Sequence, residues 1–159
     1  MSATHERHGF DETFDPEVAL SRQKEFFEGT IVGGLGIEIT SSAPGEATGR
    51  LPVGRHVMHP GGFVHGGAIA TFGDSVAAWA TMPVLKAGWS FSTIQFQTNF
   101  MRAVQSGTLY GHAREVHRGS RTQVLDVRIT LDADDGPIVA SMTVTQALLA
   151  PRTSGERSG

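Results

Sequence analysis

Apolar and polar residues alternate along most of the second half of the chain. The alternation is clearest in residues 92–101, 122–132 and 137–149, and a period of two is typical of antiparallel strands that bury one face. Residues 108–117 predict a further strand, and the turn sequences QSG, HRGS and DADDG separate the four. The pattern places on buried faces Ile94, Phe96, Thr98 and Phe100, then Leu125, Val127, Ile129 and Leu131, and then Ile138, Ala140, Met142 and Val144.

In the first of these strands the polar residues fall on the opposite face, which is expected to be solvated. They are Thr93, Gln95, Gln97 and Asn99. The four strands follow one another through short turns, so we expect them to form an antiparallel meander.

The first third of the chain predicts one short helix and two strands. The helix begins with Asp15 as N-cap and Pro16 at the first helical position, and it stops at Gly29. Residues 34–40 and 45–53 are expected to be strands, joined by the turn residues of 41–45.

The central segment, HPGGFVHGGAIATFGDSVAAWATM, permits two interpretations. Either Gly73 and Asp74 form a turn, with Asp74 as N-cap of a helix over 75–82, or one long helix runs from His65 to Met82. The long helix would place Ile69, Phe72, Val76 and Trp79 on one apolar face. A second face would carry small residues around the acid, namely Ala70, Asp74, Ala77, Ala78 and Thr81.

A carboxylate in the middle of such a helix needs a polar surrounding or a function. Burying an ionised group without partners costs several kcal/mol, roughly. The helix would begin at Gly66 and Gly67, whose N–H groups have no intrahelical acceptor, so they form a plausible oxyanion site.

The spacing of these groups suggests a site shared by two chains. Gly66 and Asp74 lie about 12 Å apart along a helix, too far to contact one reacting carbonyl. An antiparallel two-fold partner would bring the N-terminus of one helix beside Asp74 of the other, and the small-residue face would permit the close approach.

A lone apolar helix must be covered, and the only large apolar surface in the sequence is the sheet. We therefore predict an α+β architecture in which a curved antiparallel sheet wraps around one long central helix. Residues 16–150 form a single domain with a short N-terminal helix, and residues 1–15 and 151–159 are expected to be flexible.

Composition excludes several function classes. The net charge of −3 and the pI near 6.1 argue against nucleic-acid binding. The absence of cysteine excludes disulfides and thiolate catalysis. The N-terminal residues have no apolar core of a signal peptide, and Val64 to Leu85 contains Asp74, Pro83 and three glycines, so we expect a cytoplasmic protein without a membrane span.

The histidines, arginines and aromatics each have a functional and a plain interpretation. His56, His59 and His65 raise the possibility of a metal, but no HExxH motif is present, so we expect no metal and no cofactor. Arginines accumulate between positions 102 and 128, and the turn with Arg118, Ser120 and Arg121 is the best candidate for the phosphates of a nucleotide. Four aromatic side chains could either line an acyl pocket or belong to the core, namely Phe63, Trp79, Trp89 and Phe91.

The motif GGFVHGGAIATFGDS, followed by FSTIQFQTNFMRAV and GHAREVHRGSRTQVLDVRI, resembles the hotdog-fold acyl-CoA thioesterases of the PaaI-like branch. The resemblance covers residues 33–148. It implies a long helix wrapped by a curved sheet, and a homodimer whose sheets join edge to edge, paired into a tetramer as a dimer of dimers. It also implies an acyl-CoA substrate.

The resemblance assigns roles to particular residues. Asp74 stands at the catalytic acid, as general base or nucleophile, and the Gly66 N–H stands where the thioester carbonyl is polarised. His65 orients that region, and His59 occupies a position that is commonly Asn or Gln in the family. Contacts with the substrate are expected from Gly67, Ser75, Phe63, Trp89, Thr93, Arg118, Ser120 and Arg121.

Two rival functions remain open at this point. A hotdog hydratase or dehydratase would carry a different motif, such as His-Phe-Pro-Gly, which the sequence lacks. A non-catalytic acyl-CoA binder would lack the acid or carry a DNA-binding segment, whereas Asp74 is present. The acyl group, whether aryl, short or medium in chain length, is not determined by these residues.

Overall fold

The computed structural model describes residues 13–151. They form four α-helices, two short 3₁₀ helices (Arg55–Val57 and Met82–Val84) and six strands. The helices are α1 (Pro16–Ser21), α2 (Gln23–Phe27), α3 (Ile31–Gly34) and α4 (Gly66–Thr81). The strands are β1 (Glu38–Ala43), β2 (Glu46–Pro52), β3 (Ser90–Phe100), β4 (Thr108–Arg118), β5 (Thr122–Leu131) and β6 (Ile138–Leu149).

The six strands form one antiparallel sheet in the order β1-β2-β4-β5-β6-β3, and helix α4 packs on one face of it. The apolar face predicted for α4 is buried: Phe72 and Val76 are fully covered, and Ile69 and Trp79 are nearly so. Burying each such side chain contributes about 1.5–3 kcal/mol. The α+β fold with one long central helix is therefore confirmed.

Two glycines let α4 lie close to the sheet. Gly49 of β2 pairs with Gly111 of β4. A Cβ at Gly111 would lie 2.9 Å from the Phe72 ring, and one at Gly49 would lie 3.1 Å from a Val76 methyl. The missing side chains thus create the shallow groove in which the apolar face of α4 rests.

The alternation predicted for β5 and β6 is largely confirmed. Leu125, Val127 and Ile129 are buried, as are the β6 residues Ala140, Met142 and Val144. Ile138 was expected to be buried but is 38% exposed, because the register shifts between β5 and β6 near Ile129 and Val139 takes the buried position.

Strand β3 departs from a strict period of two. Ile94 is an extra residue that bulges out of the ladder with β6. Thr93 pairs with Gln146 and Phe96 pairs with Val144, and both partners lie on the buried face of β6. Residues paired across two strands point to the same face. Thr93 therefore shares the inner face with Phe96, and its predicted place on the opposite face was wrong.

Strand β3 is also an edge strand, and its apolar face is uncovered in the single chain. Ile94, Phe96 and Phe100 are 60%, 47% and 54% exposed. These residues were expected to be buried. They are exposed because α4 lies mainly over β2 and β4, towards the opposite edge of the sheet from β3.

The N-terminal region contains more helix than predicted. Asp15 caps α1 through its side chain, with Pro16 in the first turn, as expected. The single predicted helix is divided at Arg22 into α1 and α2, and the short helix α3 follows a left-handed turn at Gly29. Because α3 extends to residue 34, strand β1 begins four residues later than predicted.

The flexible termini predicted from the sequence fall on residues 1–15 and 151–159, of which 1–12 and 152–159 lie outside the described residues. Within residues 13–151, no helix is both long and apolar enough to cross a membrane.

Candidate active site

Asp74 lies in the middle of helix α4. The helix begins at Gly66 with His65 as N-cap, so the long helix is correct and Asp74 does not cap a shorter one. The carboxylate is half-buried, and its Oδ1 accepts a hydrogen bond of 2.8 Å from the Thr93 hydroxyl. No other described side chain hydrogen-bonds or forms an ion pair with Asp74, so Oδ2 is available for a ligand.

Two opposing effects set the protonation of Asp74. Burial raises the pKa of the carboxyl above its ordinary value, because desolvation disfavours the charged form. The hydrogen bond from Thr93 lowers the pKa, but its effect is the smaller of the two. A carboxylate with a raised pKa is a better proton acceptor once ionised, which suits a general base.

The N-terminus of α4 presents one free N–H group. The His65 Nδ1 accepts a hydrogen bond of 2.8 Å from the Gly67 N–H, so that group is occupied by the cap. No described residue accepts from the Gly66 N–H. Gly66 therefore offers the donor at the positive end of a helix of 16 residues.

His59 lies beside this N-terminus. Its ring centroid is 6.5 Å from that of His65 and 5.9 Å from that of Phe63. The Nδ1 of His59 accepts from the Gly61 N–H at 2.9 Å. Because Nδ1 is an acceptor in both histidines, each neutral ring carries its proton on Nε2, and each Nε2–H is a potential donor.

Phe100, which the sequence pattern placed only on the buried face of a strand, also lies at this end of the candidate site. A Cβ placed on Gly66 would lie 3.2 Å from the tip of the Phe100 ring. The ring thus covers the backbone beside the free N–H group. Only the fold reveals this contact, since 34 residues separate the two positions.

A row of polar side chains leads away from Asp74 across the inner face of the sheet. The Nε2 of Gln146 donates to the Thr93 Oγ1 at 3.4 Å, and Gln123, the β5 neighbour of Gln146, donates to Glu115. Both glutamines are fully buried. The sequence did carry a signal for Gln146, because it continues the buried alternation of β6.

Ser75 and Trp89, two other predicted substrate residues, lie on α4 and just before β3. The Ser75 hydroxyl donates to the Thr71 carbonyl within α4. Trp89 precedes β3 and is half-buried, with the Lys86 ammonium 5.2 Å from its ring centroid. Trp79, by contrast, belongs to the core, where Phe14 and Phe27 meet it edge-on.

The basic turn between β4 and β5 lies at the same end of the sheet as Thr93. Arg118 pairs with Gln123, which pairs with Gln146, which pairs with Thr93. Three strand spacings separate Arg118 from Thr93, or about 14 Å. Arg118 is itself bonded to Glu115 at 2.7 Å, whereas Ser120 and Arg121 are exposed.

The structure therefore gathers the predicted residues into two groups. One surrounds the N-terminus of α4 and contains His59, Phe63, His65, Gly66 and Gly67. The other follows Asp74 towards the basic turn and contains Ser75, Thr93, Trp89, Arg118, Ser120 and Arg121. Within one chain, eight helical residues separate Gly66 from Asp74, about 12 Å.

Among the clefts on the described surface, two bear on where a ligand binds. A cleft of about 310 Å³ lies beside the start of α4 and is lined by Ile31, Leu35, His56, Val57, Met58, His65, Gly67, Ala68 and Thr71. A larger one of about 1140 Å³ lies between α1–α3 and β1 and contains none of the predicted site residues. Size alone does not mark the larger cleft as functional, because no residue of either group lines it.

His56 is not part of a metal cluster in the described structure. Its Nε2 lies 3.1 Å from the Leu35 carbonyl oxygen. Across residues 13–151 no group of three or more His, Cys, Asp or Glu side chains is placed to hold a metal ion.

Comparison with known proteins points to one family. Residues 61–138 match the model of the thioesterase superfamily. The Mycobacterium tuberculosis protein Rv1847, named as an esterase, is 35% identical over 103 residues, which are 63% of this chain and 74% of that protein. The 1,4-dihydroxy-2-naphthoyl-CoA hydrolase of Escherichia coli is 25% identical over 133 residues, or 84% of this chain and 96% of the relative.

Solved structures agree on the fold. The thioesterase HI1161 of Haemophilus influenzae superposes with a TM-score of 0.78 over 92% of this chain and 99% of that chain, at 21% identity. At that identity the similarity speaks for the fold alone.

Proposed function

Because the chain belongs to the thioesterase superfamily and is a hydrolase of thioester bonds, we propose that it converts acyl-CoA to a free carboxylic acid and CoA at a site shared by two subunits. The observation that carries the proposal is the half-buried Asp74, held by one hydrogen bond with its second oxygen free. The CoA thioester named in the E. coli relative supports the substrate class.

Asp74 and Gly66 divide the chemistry between them. The Gly66 N–H donates to the thioester oxygen as negative charge develops on it, which is worth about 3 kcal/mol for a well-placed donor. Asp74 acts as general base on water or attacks the carbonyl directly, and acid–base help of this kind supplies about 10²- to 10⁴-fold. Both routes use the free oxygen of Asp74.

The two histidines support the oxyanion side. His65 fixes the start of α4 by capping Gly67, so the Gly66 N–H keeps a constant direction. His59 replaces the usual amide of the family and still offers an Nε2–H donor towards the same region. We assign His59 the task of holding the thioester or the attacking water.

The exposed face of β3 supports a homodimer. An edge strand with exposed Ile94, Phe96 and Phe100 is unusual for a monomer and suits edge-to-edge pairing with a second copy. The half-buried part of the small-residue face of α4, at Ala70, Asp74 and Ala78, remains available to a partner. Ala77 and Thr81 are buried within the subunit and do not contribute. Pairing of two such dimers would give the expected tetramer.

The substrate contacts follow from the two groups of residues. The phosphates of CoA would lie at the turn with Ser120 and Arg121, with Arg118 partly neutralised by Glu115. The acyl group would enter the cleft of about 310 Å³ beside α4, which His65 and Gly67 line, a volume that suits an aryl or short acyl group. Trp89 and Ser75 would border the path between these ends.

The test is thiol release from a panel of aryl-, short- and medium-chain acyl-CoAs by the wild type and Asp74→Asn. We expect wild-type turnover and a loss of about 10²- to 10⁴-fold in kcat in the variant. Asp126→Asn, which removes an exposed carboxylate on β5, is the matched control and should retain full activity.

Three outcomes separate the possibilities. Turnover that disappears only in Asp74→Asn supports the proposal and ranks the acyl groups. Turnover that survives in Asp74→Asn keeps the reaction and rejects the role of Asp74. A folded wild type without turnover on any CoA thioester would reject the proposed reaction in favour of binding.

A further inference from the structure

We propose that Thr93 is a positioning residue for Asp74 and that Gln146 holds the Thr93 hydroxyl in that role, an inference that rests on the proposed function. Thr93 was expected to contact substrate. Its hydroxyl instead donates to Asp74 Oδ1 at 2.8 Å. A hydroxyl has one proton, so this bond leaves Thr93 only acceptor capacity.

Gln146 uses that remaining capacity. Its Nε2 lies 3.4 Å from the Thr93 Oγ1, while its own carbonyl oxygen is buried without a partner. The reverse orientation of the amide would set two acceptors against each other, because the Thr93 proton is already directed to Asp74. The chain of donors thus runs in one direction, from Gln146 through Thr93 to Asp74, and such chains polarise cooperatively.

A backbone irregularity makes this arrangement possible. Without the extra residue at Ile94, Thr93 and Phe96 would point to opposite faces of β3. The bulge returns Thr93 to the inner face, opposite the fully buried Gln146. Bulges that redirect a side chain occur next to active sites.

The consequence for Asp74 is a fixed carboxylate with one oxygen committed and one oxygen open. Holding Oδ1 limits rotation of the carboxylate about its last bond, and Oδ2 then keeps one direction towards the reacting atom. Misplacement of a reacting group by about 1 Å can cost about 10²-fold in rate. No described Lys, Arg, His, Asp or Glu side chain hydrogen-bonds or ion-pairs with Asp74, so Thr93 is the described side chain that holds it.

The experiment compares Thr93→Val with Thr93→Ser. Valine keeps the shape and removes the hydroxyl, whereas serine keeps the hydroxyl. We expect Thr93→Val to lower kcat by about tenfold or more with KM nearly unchanged, and Thr93→Ser to restore most of the rate. Gln146→Met, which removes the amide with similar volume, should lower kcat in the same direction by less.

A pH profile distinguishes positioning from packing. Hydrolysis requires ionised Asp74, so the acid limb of kcat/KM follows its pKa. Losing the hydrogen bond that stabilises the carboxylate should move that limb to higher pH in Thr93→Val. A ¹³C titration of the Asp74 carboxyl should show the same displacement without depending on turnover.

Thr98→Val is the matched control. Thr98 lies on the same strand and on the same face, and its hydroxyl is buried without a partner. The control should leave kcat and the acid limb unchanged.

The outcomes are distinguishable. A wild-type rate and an unmoved acid limb in Thr93→Val, with Asp74→Asn inactive, would overturn this inference and leave the proposed function intact. A higher KM at constant kcat would return Thr93 to substrate binding and also overturn it. Absence of turnover in the wild type would reject the proposed function and this inference together. Full activity in Asp74→Asn would keep the reaction but reject the role of Asp74, and this inference with it.

Discussion

At the scale of single residues, Asp74 shows how a half-buried carboxylate weakens the fold that holds it. The side chain lies between the alanine-rich turns of α4 and has one hydrogen-bond partner among the described side chains. Desolvation outweighs that bond, so the pKa of the carboxyl is higher in the folded state than in the unfolded chain. A half-buried carboxylate with a raised pKa is a candidate for a functional site, which agrees with the role proposed for Asp74.

The raised pKa leads to a prediction about stability and pH. Because the folded state binds the proton more tightly than the unfolded state, the favourable contribution exists below the ordinary carboxyl pKa of about 3.9 and is lost as the pH rises through the folded pKa. Asp74→Asn removes this pH-dependent cost. We expect the variant to be more stable than wild type at pH 7, and the difference should shrink in acid.

Urea unfolding at pH 7 and near pH 4 measures this effect. Asp126→Asn removes an exposed carboxylate and should show no comparable gain at pH 7. Equal stability of wild type and Asp74→Asn at both pH values would contradict the raised pKa.

At the scale of elements, the contact between α4 and the sheet depends on residues that have no side chain. Gly111 faces the Phe72 ring and a Val76 methyl, both fully buried and therefore without room to move. The apolar face of α4, which the sequence predicted, supplies the helix side of this contact. Gly49 of β2 and Gly111 of β4 supply the sheet side, and their role is visible only when the two strands are paired.

We predict that Gly111→Ala destabilises the protein by about 1–3 kcal/mol, because the new methyl group would overlap the Phe72 ring. Gly34→Ala is the matched control: no atom lies within 4 Å of the point that its Cβ would occupy, so it should be neutral or stabilising by about 0.4–1 kcal/mol. Urea denaturation of both variants provides the comparison. A similar stability for the two would mean that α4 can move away from the sheet at no cost.

At the scale of the whole molecule, the two halves of the proposed site lie at opposite ends of one helix segment, Gly66 to Asp74. The free Gly66 N–H and the free oxygen of Asp74 cannot meet on one carbonyl within a chain. Edge strand β3 offers the surface on which a second copy would bring them together.

A complementation experiment tests the shared site. Gly66→Pro removes the N–H, and proline is tolerated at the first helical position, where His65 already has the extended backbone that precedes proline (φ −67°, ψ 132°). Neither Gly66→Pro nor Asp74→Asn should be active alone. After random reassociation, half of the dimers are mixed and hold one intact site of two, so about a quarter of wild-type activity should return.

The control for this experiment is each variant reassociated with itself, which should stay inactive. If the Gly66 N–H and Asp74 of one subunit served the same site, a mixed dimer would contain no intact site. A mixture as inactive as its components would therefore exclude the shared site.

The sequence alone determined whatever depends on local spacing. A period of two marked the strands β3, β5 and β6, a helical period marked the buried face of α4, and Asp15 with Pro16 marked the start of α1. The family was visible for the same reason, since the motif around His65 and Asp74 is continuous. The sequence left the start of α4 undecided, because Asp74 could cap a helix as well as lie within one.

Only the tertiary structure decided what depends on pairing between distant segments. The position of β3 at the sheet edge, the bulge at Ile94 and the contact of Phe100 with Gly66 follow from strand order and register. The hydrogen bond that Asp74 accepts follows from the same register, because it pairs Thr93 with Gln146, which is 53 residues away in the sequence. Local propensity does not predict such pairings, because the register of a strand is set by the burial of the whole sheet face.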